Sequence, residues 1–104
     1  MILEERDYRI VAGRMGDFLA TYEALGLPVQ KEMLGGFVGH FTTDIGELNR
    51  VVAFWRYNSM ADREERRQRM LTHPDWPGYL AAITGMVDTQ STRILKPTSF
   101  SPLR

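Results

Sequence analysis

Apolar residues recur with strand or helix spacing in six successive segments of the chain. Residues 2–13 contain the first predicted strand, and Gly13 is expected to end it. The next segment has apolar residues at intervals of three and four, which predicts an amphipathic helix through Met15, Phe18, Leu19 and Tyr22. Because proline has no amide hydrogen to donate, the stretch Gly26–Pro28 predicts that this helix is kinked or divided in two.

The centre of the chain predicts a β-hairpin, in which two runs rich in β-branched and aromatic residues flank Asp44–Glu47. A four-residue loop there would place His40 opposite Val51 and Thr42 opposite Asn49. One hairpin face then carries Val38, His40, Thr42, Asn49, Val51, Ala53, Trp55 and Tyr57. The other face carries Phe37, Gly39, Phe41, Val52 and Phe54. Since this second face is more uniformly apolar at its centre, we expect the helices to cover it.

The remaining segments complete an α+β pattern. A second helix should begin at Ser59, because the three-residue spacing to Asp62 is that of a capping box. Residues 88–97 predict the last strand, and residues 97–104 predict a C-terminal arm. The order is strand, helix, strand, strand, helix, strand, which predicts a ferredoxin-like βαββαβ domain over residues 1–104, with an antiparallel sheet and its helices on one face.

Such a sheet has one face without helices, and the hairpin pattern predicts that this is the face carrying Trp55 and Tyr57. A domain this small rarely exposes a large apolar face to water. We therefore expect the chain to pair with a second copy of itself, as a homodimer or a higher oligomer.

Composition limits the classes of partner. The 13 basic residues balance the 13 acidic ones, so no overall field attracts nucleic acid or an anionic membrane surface, and neither partner is predicted. The run DREERRQR at 62–69 has nearly balanced charge and fits a solvated helix face. The chain has no cysteine and is charged from its fourth residue, which favours a reducing compartment and disfavours a secretory signal. The cytoplasm is the expected location.

Few residues carry recognisable chemistry. The two histidines have no acidic neighbour at ligand spacing, and no phosphate-binding loop or nucleophile elbow occurs, so we predict neither a metal nor a cofactor. His73, before Pro74, is expected to be a surface or capping residue. His40 is either structural or available for proton transfer and ligand contact. Trp55 and Tyr57 are either packing residues or a platform for a ligand.

Several separated motifs resemble the NIPSNAP family. They are the stretch FTTDIGELNRVVAFWRYNSMADREERR from Phe41 to Arg67 and the stretch TRILKPTSFSPL from Thr92 to Leu103. The resemblance implies a ferredoxin-like fold that pairs into a dimeric α+β barrel, and it implies no settled biochemical activity. It also implies histidine in many relatives at the position of Ala53. If that group serves chemistry in the relatives, this chain either has lost it or depends on His40 across the hairpin.

Three functions fit the sequence. The first is a homodimeric module that binds a small molecule in a barrel-side cleft, lined by Arg6, Tyr8, His40, Thr42, Asn49, Trp55 and Tyr57. The second, by analogy of fold, is a cofactor-independent monooxygenase or isomerase of a small phenolic or cyclic substrate. Its catalytic candidates are His40 as base and Tyr57, Asn49 or Arg6 as hydrogen-bond donor to the oxyanion. The third is a dimeric interaction scaffold without catalysis, with Trp55 and Tyr57 packed between subunits.

Overall fold

A computed structural model describes residues 1–104 and contains one four-stranded sheet packed against a layer of helices. The strands are β1 (Ile2–Ile10), β2 (Phe37–Thr42), β3 (Arg50–Tyr57) and β4 (Val87–Leu95). The helices are α1 (Met15–Thr21), α2 (Leu27–Leu34), α3 (Met60–Leu71) and α4 (Trp76–Ala82). The strands are antiparallel in the order β2-β3-β1-β4. This is the ferredoxin-like arrangement, and the predicted α+β fold class is confirmed.

The first helical segment is extended by a π-helical segment, Tyr22–Gly26, that joins α1 to α2. Pro28 lies in the first turn of α2, directly after this π-helical segment, and has no amide hydrogen to donate to it. Gly26 lies against the ring of Tyr79, and a Cβ at this position would be 2.7 Å from Tyr79 Cε1. Glycine is therefore needed here because α4 approaches the backbone closely.

The start of α3 is confirmed, together with its predicted cap. Ser59 Oγ accepts a hydrogen bond from the backbone N–H of Asp62 at 3.1 Å. The Asp62 carboxylate accepts from the backbone N–H of Asn58, also at 3.1 Å, and pairs with Arg66 Nε at 2.8 Å. The Ser59 contact satisfies a donor that the first turn of α3 leaves without an intrahelical partner.

The helices cover the face of the sheet that carries the rings, so the prediction of an uncovered face at Trp55 and Tyr57 is wrong. Trp55 is 0% exposed and Tyr57 is 2% exposed, both within the core of a single chain. Phe41, on the open face, is 56% exposed. The prediction weighed only how uniformly apolar each hairpin face is, whereas burial of the polar face also depends on the helices: α3 brings Arg63 and Arg67 to the buried carboxylate of Glu4 on that face. Packing of these rings between subunits is likewise excluded as their structural role.

The hairpin connection is longer than the predicted four residues and spans 43–49. Its last residue, Asn49, has a φ of 62°, a left-handed conformation that asparagine tolerates better than most residues. His40 therefore pairs with Ala53, and Thr42 pairs with Val51. This register differs from the predicted one by two residues, which preserves the face on which each side chain lies.

An irregularity in β2 changes the face of one predicted residue. Phe37 pairs with Trp55 while Gly39 pairs with Phe54, so Val38 is an extra residue between them. Phe37 consequently lies on the covered face, with its ring centroid 4.9 Å from that of Trp55.

The chain after β4 contains turns but no helix or strand. The backbone N–H of Ser101 donates to the carbonyl of Thr98 at 3.1 Å, and Phe100 is 85% exposed. No helix of the chain combines the length and apolar character needed to cross a membrane.

Candidate functional site

A cavity of about 230 Å³ lies within a single chain, lined by residues of the covered sheet face and of the helices. Its lining is mostly apolar and aromatic. The rings of Tyr22, Trp76 and Tyr79 contribute to it from the helical layer, and Trp55 contributes from β3. The polar side chains of the lining are Arg6, Gln30, His40, Arg67 and Gln90. A concave apolar site with a few convergent polar groups is the usual form of a small-molecule site.

A buried ionic cluster stands beside the cavity, with Glu4 at its centre. The Glu4 side chain is 0% exposed, and its carboxylate accepts a hydrogen bond from Arg63 Nε. Glu4 Oε1 is also 3.5 Å from Arg6 Nη1 and 3.8 Å from Arg67 Nη1. None of these three arginines forms an ion pair with another carboxylate. The cluster therefore carries two more positive than negative charges, and two of its cations line the cavity.

Two hydrogen-bond donors of the lining have no partner within the protein. Trp55 Nε1 is buried and makes no hydrogen bond. Arg67 Nη1 is also buried, and its 3.8 Å contact with Glu4 is ionic but too long for a hydrogen bond. An unpaired buried donor costs about 1–3 kcal/mol. Neither atom has accessible surface in this arrangement, so an acceptor in the cavity would reach them only if neighbouring side chains moved.

His40 enters the cavity from β2 and stacks on Tyr22, with ring centroids 4.8 Å apart and planes 20° apart. Burial lowers the pKa of His40 below its ordinary value, so the ring favours the neutral form, which can accept a proton. The Tyr22 hydroxyl donates to Gln30 Oε1 at 2.5 Å, and burial raises the pKa of Tyr22. Tyr22 is therefore held as a neutral donor that is already engaged.

The structure brings together four of the residues predicted to contact a ligand: Arg6, Tyr8, His40 and Trp55 all line the cavity. Arg6 Nε donates to the Tyr8 hydroxyl at 2.7 Å, which fixes the two side chains relative to each other. Because these residues lie on the helix side of the sheet, the predicted barrel-side position of the cleft is wrong for this cavity.

The other three predicted residues lie outside the cavity lining. Thr42 is exposed at the end of β2, and Asn49 belongs to the connection that follows. Tyr57 lies at the Glu4 end of the sheet, where its hydroxyl is buried without a hydrogen-bond partner. Burial, followed by the Glu4 charge, raises the pKa of Tyr57 to about 12, which keeps the phenol neutral.

Sequence reasoning missed Arg67, which belongs to the run first interpreted as a solvated helix face. Arg63, Arg67 and Met70 are separated by four and three residues, so they share one side of α3. Met70 is 1% exposed, which shows that this side faces the core. The helical spacing from an apolar residue was the available signal. Burial and the positive charge of Arg6 lower the pKa of Arg67.

His73 lies apart from the cavity and links two segments, as expected of a surface or capping residue. Its Nδ1 accepts from the backbone N–H of Asp75 at 3.0 Å, and its Nε2 is 3.1 Å from Glu32 Oε2. No group of three or more histidine, aspartate and glutamate side chains comes together in a way that could hold a metal ion.

The fold and its internal cavity define a ferredoxin-like α+β domain, and comparison with known proteins specifies the family. The sequence model of the NIPSNAP family matches residues 3–102, and the chain belongs to that family. Protein NipSnap of Drosophila melanogaster is 33% identical over 101 residues, which cover 97% of this chain and 36% of that protein. The chain thus spans about a third of the length of this curated relative.

Solved structures agree with this assignment and extend the fold beyond the family. A NIPSNAP family protein from Agrobacterium tumefaciens has a TM-score of 0.95 and 40% identity, covering 99% of this chain and 98% of that one. A putative antibiotic biosynthesis monooxygenase from Nitrosomonas europaea has a TM-score of 0.68 and 8% identity, covering 93% of this chain and 98% of that one. At that identity the likeness concerns the fold alone.

Proposed function

We propose that this NIPSNAP domain binds a small molecule in the cavity between its sheet and its helices. The main support is a cavity of about 230 Å³ with an aromatic lining that includes Arg6 and Arg67, two cations whose one ion-pair partner is Glu4. The buried donors Trp55 Nε1 and Arg67 Nη1, which lack a partner within the protein, belong to residues of the same lining. Native proteins pair the great majority of their buried polar groups. Unpaired donors and surplus cations beside a cavity are therefore more typical of a binding site than of a packing core.

A fragment screen tests this function. Neutral and charged aromatic fragments would be added to the purified protein, and binding would be followed by ligand-observed NMR and by the rise in unfolding temperature that native-state binding produces. Ala53 lines the cavity, whereas the neighbouring Val52 points to the opposite face of the sheet. Ala53→Leu should fill the cavity and abolish binding, and Val52→Leu should leave binding unchanged. Absence of any binding fragment, or equal binding by Ala53→Leu, would contradict the proposed function.

Catalysis is a second candidate, supported by the neutral His40 in the same cavity as Arg6 and Arg67. His40 would take a proton from a phenolic or cyclic carbonyl substrate, and the guanidinium groups would hold the resulting oxyanion. This requires no cofactor for the proton transfer itself. Turnover of such substrates should disappear in His40→Ala, while fragment binding should persist. Unchanged turnover in that variant would remove His40 from the mechanism.

We further propose that a second copy of the chain covers the open face of the sheet. Phe41 and Phe54 lie there edge to face, with ring centroids 6.0 Å apart. Two charged pairs near them form within the chain, since Arg93 Nε is 2.5 Å from Glu5 Oε2 and Arg50 Nη1 is 3.3 Å from Asp7 Oδ1. An apolar centre flanked by such pairs suits a two-fold homodimer or a larger assembly. We also propose that the protein is located in the cytoplasm, as its sequence predicts.

Sedimentation velocity at a fixed protein concentration tests the assembly. Phe41→Glu would place a charge in the apolar interface, so the sedimenting species should fall to a monomer. Phe100→Glu makes the same change at an aromatic residue of the tail that is 85% exposed, and it should leave the assembly intact. A wild-type monomer, or a Phe41→Glu variant that assembles like the wild type, would refute pairing through this face.

A further inference from the structure

We infer that the ligand of the cavity is a small organic anion, with a carboxylate-like group bound by Arg67 and a planar apolar body among the rings. This inference rests on the proposed binding function and specifies the chemical class of its ligand. Three independent features of the site carry it: the local charge, the kind of hydrogen-bonding group left unpaired, and the size and lining of the cavity.

The local charge favours an anion. Three arginines surround the single carboxylate of Glu4, and Arg63 makes the shortest of the three contacts with it. Arg6 and Arg67 make longer contacts with Glu4, and both line the cavity. Cations away from bulk water are stabilised by an opposite charge nearby. An anionic ligand would supply the negative charge that Glu4 alone does not.

The unpaired groups are donors that cannot act as acceptors. The indole N–H of Trp55 and the guanidinium of Arg67 both donate only. A ligand that contacts Arg67 must therefore present acceptor atoms to it, which a carboxylate or a phenolate does and an ammonium group does not. The side-chain oxygen of Gln30, which could accept a hydrogen bond from a ligand, already accepts one from the Tyr22 hydroxyl.

The size and lining of the cavity indicate the rest of the ligand. An apolar cavity of about 150 Å³ can hold a benzene molecule. The volume here is about 230 Å³, which accommodates one aromatic ring together with a short acidic side chain. The rings of Tyr22, Trp76 and Tyr79 offer the flat apolar surfaces on which such a ring packs.

Two matched pairs of probes test the inference: phenylacetate with phenylacetamide, and 3-phenylpropanoate with 3-phenylpropanamide. Within each pair the shape is nearly constant, and only the charge and the number of acceptor atoms differ. Affinity would be measured by calorimetry or by NMR titration of the full chain. We expect each carboxylate to bind about tenfold or more tightly than its amide, because hydrogen bonds to charged groups exceed neutral ones in strength.

A pair of variants on one helix separates a specific site from general electrostatic attraction. Arg67→Gln removes the cation that lines the cavity, whereas Arg69→Gln removes the same charge from a residue whose side chain is 58% exposed. Arg67→Gln should abolish the preference for the carboxylates, and Arg69→Gln should preserve it. Circular dichroism of both variants would establish that they are folded.

Each outcome has a distinct meaning. A carboxylate preference that depends on Arg67 and disappears in Ala53→Leu supports the inference. Amides that bind as tightly as carboxylates overturn the anion preference while leaving the binding function intact, and so does a screen in which only neutral or cationic fragments bind. A preference equally reduced by Arg67→Gln and Arg69→Gln overturns the specific site. If no fragment of any charge binds, the proposed function fails, and the inference fails with it.

Discussion

Replacing Glu4 by glutamine should destabilise the fold strongly, although the substitution barely changes the shape of the side chain. Glu4 is fully buried, and Arg63, Arg6 and Arg67 all have a guanidinium nitrogen within 4 Å of its carboxylate. Removing one partner of a buried ion pair costs about 3–5 kcal/mol, since the remaining charge is left uncompensated. The arginine side chains retain 14% to 21% exposure, so water compensates part of the loss. We therefore expect a loss of about 2–4 kcal/mol.

Urea unfolding at a fixed protein concentration measures this loss, because any self-association makes apparent stability depend on concentration. The neighbouring Glu5 supplies a matched control. It lies on the opposite face of β1 and pairs with Arg93, whose side chain is 69% exposed. Glu5→Gln should unfold at a urea concentration close to that of the wild type. The expected loss for Glu4→Gln corresponds to a fall in melting temperature of roughly 10 °C or more.

Equal unfolding midpoints for the Glu4→Gln and Glu5→Gln variants would refute this reasoning. That result would mean that the three arginines near Glu4 find enough water to be indifferent to its charge. The excess of positive charge beside the cavity would then have little energetic consequence. A changed slope of the unfolding curve would instead indicate that the substitution altered the native or unfolded state itself.

Three further predictions concern other parts of the chain. Gly26→Ala should destabilise the fold by about 1–3 kcal/mol and alter the near-ultraviolet dichroism, because its Cβ would press on Tyr79. Gly16→Ala, with open space around it, should be neutral or slightly stabilising in thermal unfolding. Burial lowers the pKa of His40, so on acidification the unfolded chain protonates this imidazole before the folded chain does, and the free energy of unfolding should fall as the pH drops below about 6.5. Unfolding measured across pH should show a weaker pH dependence in His40→Gln. Ser59→Ala should cost about 1 kcal/mol in urea unfolding by removing the cap of α3, and an unchanged midpoint would show that the cap contributes nothing.

The order of elements could be predicted from the sequence because each one has a local signal. The capped start at Ser59 is an example that agrees with the structure, while the first strand, which Gly13 was expected to end, already ends at Ile10. The hairpin register could not be predicted, since it depends on a seven-residue connection with Asn49 in a left-handed conformation. Propensity does not distinguish such a connection from a four-residue loop. A shift of two residues keeps every side chain on its face, so His40 and Trp55 lie on the same face as predicted.

The covered face could not be identified from the hairpin alone, because burial of a polar face depends on what the helices bring to it. Glu4 and Arg6 place charge on one face of β1, and Glu5, Asp7 and Arg9 place charge on the other, so periodicity did not indicate which face is buried. The structure buries Glu4 because α3 supplies Arg63 and Arg67, which lie about sixty residues further along the chain. Pairing at that separation leaves no local pattern, and the arginines themselves resembled a solvated run. The apolar Met70 on the same side of α3 was the one indication that this run faces inward.

The ionic cluster is better explained by binding than by stability. A cluster built for stability would match its charges, and well-packed apolar residues of similar volume often stabilise a core as well as a buried ion pair does. Here Arg67 contributes a positive charge and a buried donor without making a hydrogen bond in return. Glu4 and Arg67 should therefore differ when each is changed to glutamine: loss of Glu4 should chiefly reduce stability, and loss of Arg67 should chiefly reduce anion affinity. A site that keeps a donor unpaired until a ligand arrives retains that interaction energy for binding.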